Sequence, residues 1–189
     1  METSLTVVLD ACVLYPAPLR DLLVELSYRG VIRARWTPEI QDEWTRNLRV
    51  NRPDIDPVRL ERTRAMMDRV RGCLVTGYLP LIPSLTLPDP DDRHVLAAAI
   101  HCGAEIIVTK NLKDFPNGIL DGYGVQAQHP DPFLFGVLGV GEEPFCLAVK
   151  AVRSRLKDPP KSVEDYLLTL EQQELARTVE RLRELADLL

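Results

Sequence analysis

The chain has 189 residues, 46% hydrophobic and 27% charged. That is an ordinary globular balance, and it argues against disordered, fibrous and low-complexity classes. The formal net charge of −5 argues against a uniformly basic nucleic-acid binder, yet residues 29–71 hold eleven Lys and Arg against seven Asp and Glu. A phosphate-rich partner is therefore compatible with the acidic total, because the distribution of charge matters more than its sum.

Leu5 to Leu9 is an unbroken β-branched and aliphatic run, which predicts a strand buried on both faces. Pro16 and Pro18 then open a helix running to about Tyr28, with Leu19, Leu22, Leu23 and Leu26 at helical spacing. Val31 to Trp36 reads as a short second strand. Thr37 and Pro38 fit the N-cap and first position of a helix reaching about Val50. Asn51-Arg52-Pro53 closes it, and a charged helix is expected from about Asp56 to Gly72.

Residues 74–88 read as extended and Pro-rich. Asp89 can cap the next helix, Pro90 takes its first position, and Asp92 falls in its first turn. Gly103 ends that helix, Glu105 to Thr109 is a strand, and Gly124 to Ala127 suggests a last short one. Strands alternating with helices predict an α/β fold with a central parallel sheet. Beyond Pro132 only helices are expected, and Ser162 to Leu189 carries one broad apolar stripe, from Val163 and Tyr166 to Leu185 and Leu189.

Cys12, Cys73, Cys102 and Cys146 lack metal or redox spacing, and Cys12, Cys102 and Cys146, set among apolar neighbours, read as reduced, buried thiols. No targeting pattern and no membrane-length apolar run is recognised, so a soluble cytoplasmic protein without a membrane partner is expected.

The chemistry points to acids. Sites in open parallel sheets form beyond the carboxyl ends of the strands, and Asp10 and Asp114 both follow apolar strands. Ala11-Cys12-Val13-Leu14 gives Asp10 no evident capping duty, so its burial calls for another compensation. Asp92 lies on the edge of its helix's core-facing stripe. Glu39 and Glu43, four apart, share one helix face. Carboxylates converging without basic partners repel one another unless they bind a hard cation such as Mg²⁺ or Mn²⁺. Such a centre can activate water for in-line attack on a phosphodiester. His94, His101 and His129 show no ligand spacing, and none is required. Asp89 and Asp91 also read as a helix cap and a first-turn charge. A haloacid-dehalogenase-type phosphatase would need a second Asp where Cys12 stands, and no phosphate-binding glycine loop occurs.

Four segments resemble the PIN-domain family of metal-dependent ribonucleases, which includes VapC-type toxins. They are Val7 to Leu14, Glu39 to Glu43, Asp89 to Ala99, and Ile107 to Phe115, in the family's order. The resemblance implies a PIN-like α/β/α sandwich over residues 1–130. It leaves residues 131–189 as a helical extension packed on that domain or at a dimer interface. It assigns Asp10, Glu43, Asp92 and Asp114 to the catalytic metal cluster, with Thr109 and Asn111 in support. Glu39 and Asp91 stand as alternates. It further implies an RNA substrate, a cognate antitoxin and a homodimer.

Independently of the family, Arg46 and Arg49 follow Glu43 on its helix, and Arg29, Arg33 and Arg35 lie near the second strand. All could hold flanking phosphates. The reading is thus an Mg²⁺- or Mn²⁺-dependent endoribonuclease, the toxin of a toxin–antitoxin pair. The alternatives are a housekeeping RNA-processing or DNA-directed nuclease, and a non-catalytic RNA- or protein-binding module on the same fold.

Overall fold

A computed structural model describes residues 4–189. In chain order the elements are β1 (Thr6–Leu9), α1 (Ala11–Leu14), α2 (Ala17–Tyr28), β2 (Arg33–Arg35), α3 (Pro38–Asn51), α4 (Pro57–Met67) and α5 (Arg93–Cys102). Then come β3 (Ile106–Val108), α6 (Asn117–Leu120), β4 (Gln126–Gln128), α7 (Pro130–Val140), α8 (Glu142–Arg155), α9 (Val163–Glu171) and α10 (Ala176–Glu184).

The four strands pair in parallel in the order β2-β1-β3-β4. Val8 lies opposite Arg35 on one side and Ile107 on the other. β1 is buried throughout, as its unbroken apolar run requires. Because the strands are parallel, the residues that follow them emerge at one edge. Asp10 after β1, Thr109 after β3 and the Thr37 cap of α3 after β2 all reach it. α5 packs on β1 and β3, and α2 packs beside β2. Gly103, at φ 64°, closes α5 in the left-handed conformation that glycine adopts without a Cβ penalty.

Several expected boundaries change. Residues 11–14 form α1, too short for a periodic pattern to reveal. α4 stops at Met67 rather than continuing to Gly72. Within the stretch expected to be extended, Leu79–Ser84 coils into a 3₁₀ helix, with Pro80 and Pro83 fixing φ. A 3₁₀ turn over Pro90–Asp92 precedes α5, which starts at Arg93. The stripe expected to be one helix over 162–189 is broken into α9, α10 and a terminal 3₁₀ turn, with Glu174 at φ 67° in the break.

That stripe is nevertheless covered within the chain. Tyr166, Leu167, Leu170, Leu175, Val179 and Leu182 are all buried, with α9 against α2 and α10 against α7. Each such side chain contributes about 1.5–3 kcal/mol. Two polar links reinforce the packing. Glu25 of α2 is gripped by Arg29 at 2.7 Å and by Arg155 of α8 at 2.8 Å. Asp131 of α7 accepts the backbone N–H groups of Arg177 and Thr178 at 3.1 and 2.9 Å. Among the described residues no helix is long and apolar enough to cross a membrane.

Candidate active site

Asp10 stands at the end of β1 with only 3% exposure. Its backbone N–H extends the ladder to Val108 O at 3.1 Å. Contrary to expectation it does have a capping duty: Oδ1 accepts the Ala11 N–H at 2.6 Å and starts α1. Oδ2 turns the other way, accepting from Thr109 Oγ1 at 2.7 Å and from the Cys12 thiol at 3.1 Å. Burial pushes the carboxyl pKa up. The Thr109 and Cys12 hydrogen bonds oppose that, and nearby Glu43 adds to it.

Thr109 is fully buried, and its hydroxyl also accepts the Asn111 N–H at 3.0 Å. Asn111 therefore meets Thr109 through its backbone, while its own side chain is exposed. Cys12 departs from the bland thiol expected of it. It is half-buried, donates to Asp10, and accepts from Lys110 N at 3.2 Å. Burial and the Asp10 carboxylate push its pKa up to about 12, so it remains a thiol and a donor.

Asp92 precedes α5 and makes no side-chain cap to it. It is half-buried at the start of α5, and its pKa is pushed up to about 7. Burial is the first cause, followed by the charges of Asp10, Asp89, Asp114 and Glu43. Asp114, half-buried at the end of a 3₁₀ turn over Leu112–Asp114, is held by its N–H on Asn111 O at 3.0 Å. The fold thus brings Asp10, Glu43 and Asp114 close enough to act on Asp92, and Glu43 close enough to act on Asp10. Among the described residues, no three His, Cys, Asp or Glu side chains are grouped closely enough to hold a metal ion. The donor set is all oxygen, which suits a hard divalent cation.

The alternates are placed differently. Glu43 acts on both Asp10 and Asp92, whereas Glu39 is exposed and accepts from Tyr78 Oη at 2.8 Å. Asp91 is also exposed, its N–H held by the capping Asp89 side chain at 2.9 Å. Arg49 is tied to Glu61 at 2.7 Å. With Arg46 and Arg64 it lines a cleft of about 360 Å³ between α3 and α4.

His94, to which the sequence assigned no role, lies between the two glutamates. Nε2 is 3.7 Å from Glu43 and Nδ1 is 3.8 Å from Glu39. The carboxylates raise its pKa against the opposing effect of burial. Its place two residues after Asp92 was the available signal, but its partners lie on another helix.

A four-stranded parallel sheet interleaved with helices is the α/β architecture of a PIN-type fold. The family model for the PIN domain matches residues 6–113, and the chain belongs to that family. A second model, for the VapC50 C-terminal domain, matches residues 130–184. A protein of Mycobacterium tuberculosis (strain ATCC 25618 / H37Rv) named "Putative ribonuclease VapC50" is 43% identical over 97 residues, a match covering 51% of this chain and 57% of that relative. The chain thus spans little more than half the length of this curated relative. No solved structure matches.

Proposed function

We propose that the chain is an endoribonuclease dependent on Mg²⁺ or Mn²⁺ and the toxin of a toxin–antitoxin pair. The observation that carries this is Asp10, 3% exposed at the end of β1 and bonded to Thr109 after β3, with Glu43 and Asp92 near enough to act on it or be acted on by it. A folded chain that keeps such a cluster forgoes stability, unless a cation or substrate uses it. The similar mycobacterial protein is named as a ribonuclease, which favours RNA over other phosphodiesters.

Asp10, Glu43, Asp92 and Asp114 would hold the ion. When bound, it supplies Lewis acidity that makes water a nucleophile near neutral pH and offsets charge on the phosphoryl oxygens. The chain's own groups prepare for this. Thr109 and Cys12 fix the Asp10 rotamer through Oδ2, while Oδ1 keeps a lone pair beyond its contact with Ala11. Asp92 holds a proton near neutrality and can release it as positive charge enters. Arg46, in the α3–α4 cleft, would meet a flanking phosphate, with Arg49 partly spent on Glu61. Residues 1–130 would form the nuclease unit and 131–189 its extension. The partners would be RNA, a cognate antitoxin and a second copy of the chain, in the cytoplasm.

The test is Asp10→Asn, which keeps a capping oxygen but removes the charge. Divalent-dependent RNA cleavage should vanish while thermal unfolding stays cooperative. Cleavage at the wild-type rate would falsify the mechanism. Growth arrest on expression of the chain alone, relieved by a partner gene, tests the toxin role.

A further inference from the structure

Lys110 leaves the loop that carries Thr109 and Asn111. Its N–H donates to Cys12 Sγ at 3.2 Å and that thiol donates to Asp10 Oδ2 at 3.1 Å, so Lys110 begins two hydrogen bonds from the acid cluster. Its ammonium donates to Glu174 Oε2 at 2.8 Å. His129 Nε2 lies 3.6 Å from the same oxygen. Since His129 Nδ1 accepts from Asp131 N at 3.4 Å, the neutral ring carries its proton on Nε2, facing that carboxylate. Two donors from the nuclease unit and its border thus converge on one anionic oxygen.

That oxygen belongs to the extension. Glu174 lies in the turn between α9 and α10, and it is the non-glycine residue with positive φ among the described residues. A glutamate at φ 67° is strained where a glycine would not be. Packing does not account for its side chain, which is 65% exposed. The neighbouring Leu175 is fully buried and pins the turn. What the strained position achieves is a carboxylate beside Lys110 and His129. An exposed ion pair of this kind is weakly held and readily exchanged for another anion.

We propose that Lys110 Nζ and His129 Nε2, which follow the adjacent parallel strands β3 and β4 at the sheet edge that also carries Asp10, form a phosphate subsite, and that Glu174 occupies it as an anionic stand-in which an RNA phosphate must displace. This rests on the nuclease reading above. The acid cluster repels incoming phosphates, so a nearby ammonium matters for entry, and the extension controls whether that ammonium is free.

The experiment measures binding of fluorescein-labelled oligouridylate to the full chain in EDTA, over a range of salt. Glu174→Gln should tighten binding about threefold to tenfold at low salt. It should also steepen the salt dependence by up to about 0.7 in log–log slope. Lys110→Met should weaken binding, and Glu174→Gln should then have no further effect. A readout without RNA is the acylation rate of Lys110 by an amine-reactive reagent, followed by peptide mass spectrometry. It should rise in Glu174→Gln and in Glu174→Gly, whose backbone suits the turn. Unchanged acylation, or unchanged or weaker RNA binding in Glu174→Gln, would overturn the proposal. If no form bound RNA, protection of Lys110 by inorganic pyrophosphate in Glu174→Gln would uphold the subsite and count against RNA as substrate. Absence of that protection would sink the subsite as well.

Discussion

Thr109 Oγ1 donates to Asp10 Oδ2 at 2.7 Å, joining the ends of β1 and β3 across 99 positions of chain. The same oxygen accepts the Asn111 N–H, so it serves the acid and the loop that carries Asp114. Thr109→Val keeps the shape and removes both bonds. Asp10 Oδ2 keeps the Cys12 thiol as a donor, so the loss costs about 1–2 kcal/mol. Mn²⁺ affinity should fall roughly tenfold to a hundredfold, as for other groups that orient a ligand. Thr109→Ser should restore most of it. Calorimetric titration decides the matter: unchanged Mn²⁺ affinity in a folded Thr109→Val protein would remove this threonine from the site.

Much of this geometry was legible in the sequence. The apolar run at 5–9 has one stable home, a strand covered on both faces, and parallel pairing carries Asp10 and Thr109 to the same edge. Asp92 was legible through the Asp89-Pro90 helix start. Other features depend on contacts between distant segments. His94 faces two glutamates of another helix, which no local spacing reports. Cys12 was read as a small hydrophobe because composition cannot show a thiol aimed at a carboxylate. The break at Glu174 was hidden because Gln172-Gln173-Glu174 are ordinary helix formers with no glycine or proline. Tertiary packing of Leu175 outweighs that propensity.

The rivalry between Glu39 and Glu43 gives a second prediction. Glu43 raises the pKa of Asp10 and Asp92, whereas Glu39 is engaged by Tyr78. Glu43→Gln should lower Mn²⁺ affinity by about tenfold or more, and Glu39→Gln by no more than about threefold. Calorimetry on the two variants, compared at one pH, tests this. The opposite order would make Glu39 the second acid.

Asp92 sets a pH dependence. Its folded pKa, about 7, lies above the unfolded value of 3.8. Between these limits the folded state binds more protons than the unfolded state. Stability from this group is therefore full below the unfolded value, declines as pH rises, and is lost above the folded value. In EDTA the melting temperature should fall between about pH 5 and about pH 8, by an amount that solvent screening of this half-exposed carboxyl holds to about 1–2 kcal/mol. Mn²⁺ should restore more stability at the higher pH, where no proton competes for the carboxylate. Melting curves that are flat in pH, or a larger Mn²⁺ effect at the lower pH, would remove Asp92 from the cluster.

The last prediction concerns how the extension is fastened. α10 begins after Leu175, which offers no side-chain cap. The cap comes instead from Asp131 of α7, which is buried. Its carboxylate accepts the N–H of Arg177 at 3.1 Å, the N–H of Thr178 at 2.9 Å and the Thr178 hydroxyl at 2.8 Å. A negative charge at a helix N-terminus also meets the positive end of the helix dipole. Asp131→Ala would leave the Arg177 and Thr178 amides without their acceptor and the buried Thr178 hydroxyl with only its longer bond to the residue 131 carbonyl at 3.2 Å, costing about 2–4 kcal/mol. At roughly 2–4 °C per kcal/mol for a chain of this size, melting should drop by about 5–15 °C. Asp131→Asn retains one acceptor oxygen and should lose about half as much. Because the capped turn begins three residues after Glu174, Asp131→Ala should also free the Lys110 ammonium, and its acylation rate should rise with the loss of stability. Acylation that stays at the wild-type rate while stability falls would show that Glu174 is held by its own turn rather than by the α7–α10 cap.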